Sequence, residues 1–150
     1  MRYLLDTNLI MIYSRRNQYS EEIERRFSLF NGSHQLHVST IILGELNALI
    51  KKWNLGGAKV QHINSLLGYC EILGIDDQVM IDNYGDIDAY SQGKGESALL
   101  PRNMGKNDIW IAATALSYDL HLITTDKDFR HLGEFMIDLT YIDLEEIGSS

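Results

Sequence analysis

The chain has 150 residues, a formal net charge of −8 and one cysteine. A chain of this length can bury its own core, so we expect one domain over residues 1–150 that folds without disulfides or a structural metal. The lone Cys70 excludes an intramolecular disulfide and fits a reducing cytoplasm, and we interpret it as a small core residue in a helical stretch. No window approaches the ~20 apolar residues of a membrane span, and the charge directly after the N-terminal apolar run argues against a signal peptide.

The acidic balance limits the possible partners. Phosphate contacts usually come from Lys and Arg, so an excess of acids is unfavourable for a protein that binds nucleic acid. Two interpretations remain open. Either the chain does not bind nucleic acid, or some of its acids hold cations that reverse the local sign of the charge.

Short apolar runs alternate with helical patterns along the whole chain. In order, the predicted elements begin with a strand at 3–5 that is followed by a turn and a helix, a helix at 20–30, a strand at 36–38 and a helix from Ser39 or Thr40 to about Trp53. Gly56-Gly57 separates this helix from a further one that reaches about Leu73, and a strand within 75–81, a short helix at 84–90 and a loop at 91–105 follow. The last elements are a helix at 107–119, a strand at 121–125, a short helix from Asp126 and a strand at 139–142. Strands that alternate with helices predict an α/β fold, a three-layer α/β/α sandwich with a short central parallel sheet.

Two aspartates end predicted strands. Asp6 follows the run Tyr3 to Leu5, and Asp126 follows the strand at 121–125. Parallel strands end at the same edge of a sheet, where ligands bind, so these two acids can converge. The alternative is that each one only caps the helix that follows it.

Two further acids lie on predicted helices. Glu45 falls within an apolar stripe, where a carboxylate costs several kcal/mol unless it is paired or binds a metal. A partner such as Lys51 or Lys52, or a tilt that leaves Glu45 in water, would also explain it. Asp108 opens the almost wholly apolar helix at 107–119, where capping or the helix dipole would account for an acid.

Four converging carboxylates would repel one another unless a divalent cation were bound between them. Oxygen-only ligands suit Mg²⁺ or Mn²⁺, and the chain has no His/Cys set with zinc spacing. We interpret all five histidines as structural or surface residues. Carboxylate-held Mg²⁺ activates water in phosphoryl transfer, which requires no nucleophilic side chain. The chain accordingly has no G-x-S-x-G, Walker A or G-x-G-x-x-G motif.

Four blocks of the sequence resemble the motif blocks of PIN domains in order and spacing. They are Leu4 to Asn8, Ser39 to Leu46, Asn107 to Ala115 and Leu122 to Phe129, and the resemblance spans residues 2 to about 142. It implies a single PIN-like nuclease domain with an acidic pocket for Mg²⁺ or Mn²⁺. The residues that match the catalytic and metal-binding acids of the family are Asp6, Glu45, Asp108 and Asp126. Those that match supporting positions are Thr7, Asn8, Thr124 and, less directly, Asp128.

Compact PIN proteins of this size resemble VapC-type toxins of type II toxin–antitoxin pairs. The resemblance implies a cytoplasmic, Mg²⁺-dependent endoribonuclease that is commonly a homodimer and is silenced by a cognate antitoxin. Trp53 and the pair Tyr84 and Tyr90 are candidate dimer contacts, and the loop at 91–105 is longer than in many compact toxins. The basic residues that we expect to rim the pocket and contact RNA are Lys51, Lys52, Lys94, Arg102 and Lys106.

Two other functions remain open from the sequence. A Mg²⁺-dependent phosphatase or phosphotransferase would use Asp6 as its nucleophile, but the HAD-type pattern requires a second acid at the position of Asn8. A non-catalytic PIN-type module would only bind RNA or protein. The loss of one or more acids is its usual sign, and all four acids are present here.

Overall fold

The computed structural model describes residues 1–94, 102–133 and 136–148. The strands are β1 (Arg2–Leu5), β2 (Gln35–Ser39), β3 (Cys70–Leu73), β4 (His121–Thr124) and β5 (Leu139–Tyr141). The α-helices are α1 (Thr7–Arg15), α2 (Gln18–Phe27), α3 (Thr40–Lys52), α4 (Gly57–Leu67), α5 (Gln78–Ser91), α6 (Lys106–Ser117) and α7 (Leu144–Gly148), and a 3₁₀ helix spans Lys127–Leu132. Within these ranges, no helix combines the length and the apolar character needed to cross a membrane.

The strands form one parallel sheet in the order β3-β2-β1-β4-β5. The chain runs outward from β1 through β2 to β3, then crosses to the other side of β1 for β4 and β5. Right-handed crossovers in opposite directions place helices on both faces of the sheet. The predicted α/β/α sandwich is therefore confirmed, and the carboxyl ends of β1, β2 and β4 lie side by side at one edge.

Burial explains the continuous apolar runs of the two central strands. Leu4 and Leu5 of β1 and Leu122 and Ile123 of β4 have no exposed surface. A strand covered by helices on both faces requires apolar side chains at consecutive positions rather than at alternate ones. Helix α6, which was predicted to be buried, packs under this sheet with Ile111, Ala112 and Ala113 likewise fully buried.

Helix α3 begins directly at the end of β2, and its capping residue is one of the two that were predicted. The hydroxyl of Ser39 accepts a hydrogen bond from the backbone N–H of Ile42 at 3.3 Å. This satisfies one of the unpaired N–H groups of the first turn. The helix ends at Lys52, close to the predicted end at Trp53.

The predicted third strand at 75–81 and the predicted extension of the preceding helix to Leu73 are wrong. Helix α4 ends at Leu67, and Cys70–Leu73 form the edge strand β3, which pairs with β2. The apolar spacing of Leu66, Cys70 and Leu73 imitates a helical period, but pairing with β2 overrides it. The carboxylate of Asp77 accepts from the N–H of Met80 at 2.8 Å and starts α5, so residues 78–81 are helical.

Two smaller predictions need correction in the same part of the chain. Cys70 lies in an edge strand rather than a helix, and it is only partly buried. Burial still raises the pKa of its thiol to about 11, which favours the protonated thiol at neutral pH. Tyr90 is buried and Tyr84 packs on Trp110 with ring centroids 4.2 Å apart, so this tyrosine pair is not an exposed contact surface.

Trp53, in contrast, is 54% exposed and remains a candidate dimer contact. Of the predicted loop at 91–105, Ser91 is the last residue of α5, and residues 95–101 lie outside the described residues.

Candidate active site

A cleft of about 650 Å³ opens at the carboxyl edge of the sheet. Its lining includes the four predicted acids, Asp6, Glu45, Asp108 and Asp126. They come from the end of β1, the middle of α3, the first turn of α6 and the segment after β4. The parallel topology thus brings together acids that are up to 120 positions apart in the sequence, from Asp6 to Asp126.

Asp6 lies at the bottom of this cleft and is only 4% exposed. Its Oδ1 accepts from the backbone N–H of Thr7 at 2.7 Å, and its Oδ2 accepts from the hydroxyl of Thr124 at 2.6 Å. Burial raises the pKa of Asp6 to about 6. The two hydrogen bonds act to lower this pKa, and the charges of Glu45 and Asp126 act to raise it. Asp6 is the N-cap of α1, so it serves both the helix and the cleft.

Thr124 connects two of the acids. Leu5 and Ile123 are partners in the sheet register, which places Thr124 beside Asp6. The fully buried hydroxyl of Thr124 donates to Asp6 and accepts from the backbone N–H of Asp126 at 3.0 Å. One hydroxyl therefore holds the Asp6 carboxylate and the turn that carries Asp126.

Glu45 is half-buried, and its partner is neither of the two lysines considered from the sequence. The hydroxyl of Thr7 donates to Glu45 Oε1 at 2.6 Å. Because Thr7 directly follows Asp6, the first turn of α1 positions two acids of the cleft at once. Among the described residues, Oε2 of Glu45 takes part in no hydrogen bond or salt bridge.

The pKa of Asp108 is raised even further than that of Asp6. This residue is half-buried in the first turn of α6, where Gly105 rather than Asp108 is the N-cap. Burial raises its pKa to about 7, and the charges of Asp6, Asp126, Glu45 and Asp128 add to this increase, in that order. Burial and the neighbouring carboxylates therefore both disfavour the ionised form of Asp108.

The tightest group of acids consists of Asp108, Asp126 and Asp128. Each of them offers a carboxylate oxygen, and these three oxygens lie within 4.8 Å of one another. The carboxylate of Asp126 also accepts from the N–H of Asp128 at 2.9 Å, which caps the 3₁₀ helix. Asp128, which the sequence marked only as a supporting residue, thus belongs to the closest set of candidate ligand oxygens.

The donor set fits a hard divalent cation. It contains carboxylate oxygens and no thiolate or imidazole, as Mg²⁺ and Mn²⁺ prefer. The raised pKa values of Asp6 and Asp108 reflect burial and mutual repulsion, and a bound cation would relieve the repulsion and favour the ionised forms. The residues are therefore suited to hold such an ion.

The other predicted site residues are placed unevenly. Thr7, Asn8 and Lys52 line the cleft, whereas Lys51, Lys94, Arg102 and Lys106 are exposed residues outside its lining. Four polar or small lining residues were not predicted as site residues from the sequence: Thr40, Gly44, Ala48 and Asn107. Gly44 and Asn107 directly precede the predicted acids Glu45 and Asp108, whereas Thr40 was considered only as a helix cap.

A second cleft of about 610 Å³ lies among α1, α2 and α4. Its lining includes Tyr13, His62 and Leu66 and none of the four predicted acids. Glu24 lies in it but is held by hydrogen bonds from the hydroxyl of Tyr13 and the backbone of Phe30. The acidic cleft therefore remains the candidate active site.

Removing the Thr124 hydroxyl should weaken the site without unfolding the protein. We expect Thr124→Val, which keeps the shape of the side chain, to lower metal affinity or activity by about 10–100-fold, because Asp6 and the Asp126 turn lose their common partner. Titration calorimetry with Mn²⁺ measures the effect. Thr124→Ser, which restores the hydroxyl, should recover most of it, and equal affinities in the Val and wild-type proteins would contradict this role.

The fold and the cleft define a class of protein, namely a parallel α/β sandwich with a carboxylate-lined cleft at the carboxyl edge of its sheet. The family model of the PIN domain matches residues 3–134. The chain therefore belongs to the PIN domain family. No curated protein matches the chain.

Solved structures share this fold over nearly the full length. In VapBC-1 from nontypeable Haemophilus influenzae, the similar chain is 26% identical with a TM-score of 0.68, over 94% of this chain and 98% of that one. In VapBC2 from Rickettsia felis, bound to a DNA fragment from their promoter, the similar chain is 22% identical with a TM-score of 0.73, over 95% of this chain and 100% of that one. In a toxin–antitoxin complex from Klebsiella pneumoniae, the similar chain is 21% identical with a TM-score of 0.62, over 92% of this chain and 95% of that one.

Proposed function

We propose that the protein is a Mg²⁺-dependent (or Mn²⁺-dependent) endoribonuclease and the toxin of a type II toxin–antitoxin pair. The observation that carries this proposal is the convergence of Asp6, Glu45, Asp108 and Asp126 in one cleft of a PIN domain. Carboxylates without a matching cluster of bases are suited to hold divalent cations rather than to bind phosphate directly. The reaction class that follows is hydrolysis of a phosphodiester.

When bound among these carboxylates, a divalent cation supplies positive charge to the phosphate and lowers the pKa of water. Asp108, Asp126 and Asp128 provide the oxygens closest to one another, and Asp6 provides the most buried carboxylate. Thr7 holds one oxygen of Glu45. The other oxygen, Oε2, is then the atom that orients the attacking water and accepts its proton.

A phosphotransferase with Asp6 as nucleophile fits this geometry less well. Both oxygens of Asp6 accept short hydrogen bonds, and the side chain is almost fully buried. A carboxylate held in this way is poorly placed to attack phosphorus. A non-catalytic module is likewise disfavoured, since the acids, the hydroxyls that orient them and the open cleft are all present.

The antitoxin partner is proposed from the comparisons. The similar chains belong to VapBC structures and to a toxin–antitoxin complex. RNA as the substrate follows from the sequence resemblance to VapC-type toxins. Both parts of the proposal can be tested on the purified chain and its neighbouring reading frame.

The direct test compares RNA and DNA oligonucleotides of the same unstructured sequence, each with Mg²⁺ and with EDTA. We expect cleavage of RNA with Mg²⁺, none with EDTA, and little or none of DNA. Resolution of the products on a denaturing gel measures all four reactions. Coexpression with the protein encoded in the adjacent reading frame should suppress cleavage and any growth arrest. Cleavage that persists in EDTA would overturn the metal-dependent mechanism, and failure to cut any RNA would overturn the proposed ribonuclease function.

A further inference from the structure

Helix α3 forms one wall of the cleft along its whole length. The residues of α3 that line the cleft are Thr40, Ile41, Gly44, Glu45, Ala48, Leu49 and Lys52. They recur at intervals of three to four residues, so they form one continuous face of the helix. The acids occupy only one position on this face, Glu45, and the remainder has no role in the proposed chemistry.

Gly44 is the least expected residue on this face. It lies in the interior of α3, where glycine is unfavourable relative to alanine. Its backbone does not have the positive φ that would require glycine, and a Cβ atom at this position would meet nothing within 4 Å. Neither the backbone nor packing therefore accounts for the missing side chain. What Gly44 does provide is open space on the cleft side of the helix, directly beside Glu45.

Lys52 lies at the far end of the same face. It is seven positions after Glu45, which corresponds to about 10 Å along the helix axis. Among the described residues that line the cleft, Lys52 is the cation, and the neighbouring Lys51 is exposed outside the lining. Along this face, the acidic Glu45 is followed by the small and apolar residues Ala48 and Leu49 and then by the basic Lys52.

We infer that this face of α3 is the track for the RNA strand next to the scissile phosphate, an inference that rests on the proposed ribonuclease function. The adjoining nucleotide passes over Gly44 and Ala48, where a larger side chain would obstruct it. Lys52, about 10 Å along the helix axis from Glu45, binds a phosphate next to the one being cut. Gly44 and Lys52 are therefore substrate-positioning residues that act on RNA binding rather than on the metal.

The chain offers a matched control for each position. Gly85 is an exposed glycine in the interior of α5, and a Cβ atom there also meets nothing within 4 Å. We expect Gly44→Leu to raise KM for an unstructured oligoribonucleotide by about tenfold or more with no comparable change for Gly85→Leu. Lys52→Met should raise KM about tenfold and reduce the slope of log KM against log salt concentration by about 0.7. Lys59→Met, on α4 and outside the lining of the cleft, should do neither.

For all four variants, we would measure Mn²⁺ binding by calorimetry and also follow thermal unfolding. Unchanged Mn²⁺ affinity and a cooperative unfolding transition, together with the selective rise in KM, support the track. Unchanged KM in folded Gly44→Leu and Lys52→Met proteins would overturn it while leaving the ribonuclease function standing. A wild-type protein that cuts no RNA would overturn the proposed function and the track with it.

Discussion

Replacing Asp6 with asparagine is expected to abolish RNA cleavage while the protein stays folded. Asp6 is the most buried acid of the cleft, and its carboxylate is oriented by Thr7 and Thr124. Loss of a metal-binding carboxylate removes several kcal/mol of transition-state stabilisation, and each factor of ten in rate is worth about 1.4 kcal/mol. We therefore expect the rate to fall by about a thousandfold or more, as measured with the same oligoribonucleotide.

The same substitution should make the metal-free protein more stable at neutral pH. Burial raises the pKa of Asp6 from 3.8 to about 6, so the ionised side chain destabilises the fold. Since each tenfold difference in proton affinity is worth about 1.4 kcal/mol, a neutral amide should raise the free energy of unfolding by on the order of 2 kcal/mol. Chemical denaturation in EDTA measures this gain.

The control for Asp6→Asn is Asp86→Asn. Asp86 is exposed on α5 and lies outside the lining of the cleft. Asp86→Asn removes the same charge as Asp6→Asn, so it tests whether the effects arise from the site rather than from net charge. It should change neither activity nor stability by much. Normal turnover by Asp6→Asn, or loss of its unfolding transition, would contradict the role assigned to Asp6.

The second large effect concerns pH and metal together. Asp6 and Asp108, with pKa values raised to about 6 and about 7, keep protons in the folded protein at pH values where the unfolded chain has lost them. The folded state therefore binds more protons than the unfolded state from pH 3.8 up to about 7. Through these two carboxyl groups, raising the pH across this window lowers the free energy of unfolding of the metal-free protein.

Divalent cations should reverse this trend. They compete with protons for the same carboxylates and bind the folded state, so their stabilisation grows as the acids ionise. We expect the Tm in EDTA to fall between about pH 5 and about pH 8, and millimolar Mg²⁺ or Mn²⁺ to raise it much more at the higher pH. Thermal unfolding followed by circular dichroism measures both effects.

The comparison protein for this experiment is Asp108→Asn, which lacks the carboxyl group with the higher pKa. Its Tm in EDTA should depend less on pH than that of the wild-type protein, and it should gain less from added metal. A wild-type Tm that does not respond to Mg²⁺ or Mn²⁺ at the higher pH would rule out the proposed metal centre.

Local patterns in the sequence were sufficient for the elements that carry the site. Continuous apolar runs identify β1 and β4, because strands covered on both faces must be apolar at consecutive positions. Each run is followed by an aspartate, and parallel strands end at a common edge, so Asp6 and Asp126 could be predicted to converge. Glu45 was recognisable because a charge within an apolar helical stripe requires a partner.

Other features depended on contacts between distant segments, which no local pattern encodes. The edge strand Cys70–Leu73 has the apolar spacing of a helix, and only pairing with β2 makes it a strand. The same holds for the bridges that orient the acids, from Thr7 to Glu45 and from Thr124 to Asp6.

The sequence by itself indicated the α/β class and three of the acids, Asp6, Glu45 and Asp126, from periodicity and from the ends of strands, whereas Asp108 rested on the resemblance to PIN domains. The tertiary structure alone decided how the charges are arranged. It grouped Asp128 with Asp108 and Asp126, and it left Lys52 as the cation of the described cleft lining while the other predicted basic residues lie outside. The physical reason is that electrostatic energy depends on distance and burial in space, which separation along the chain does not specify.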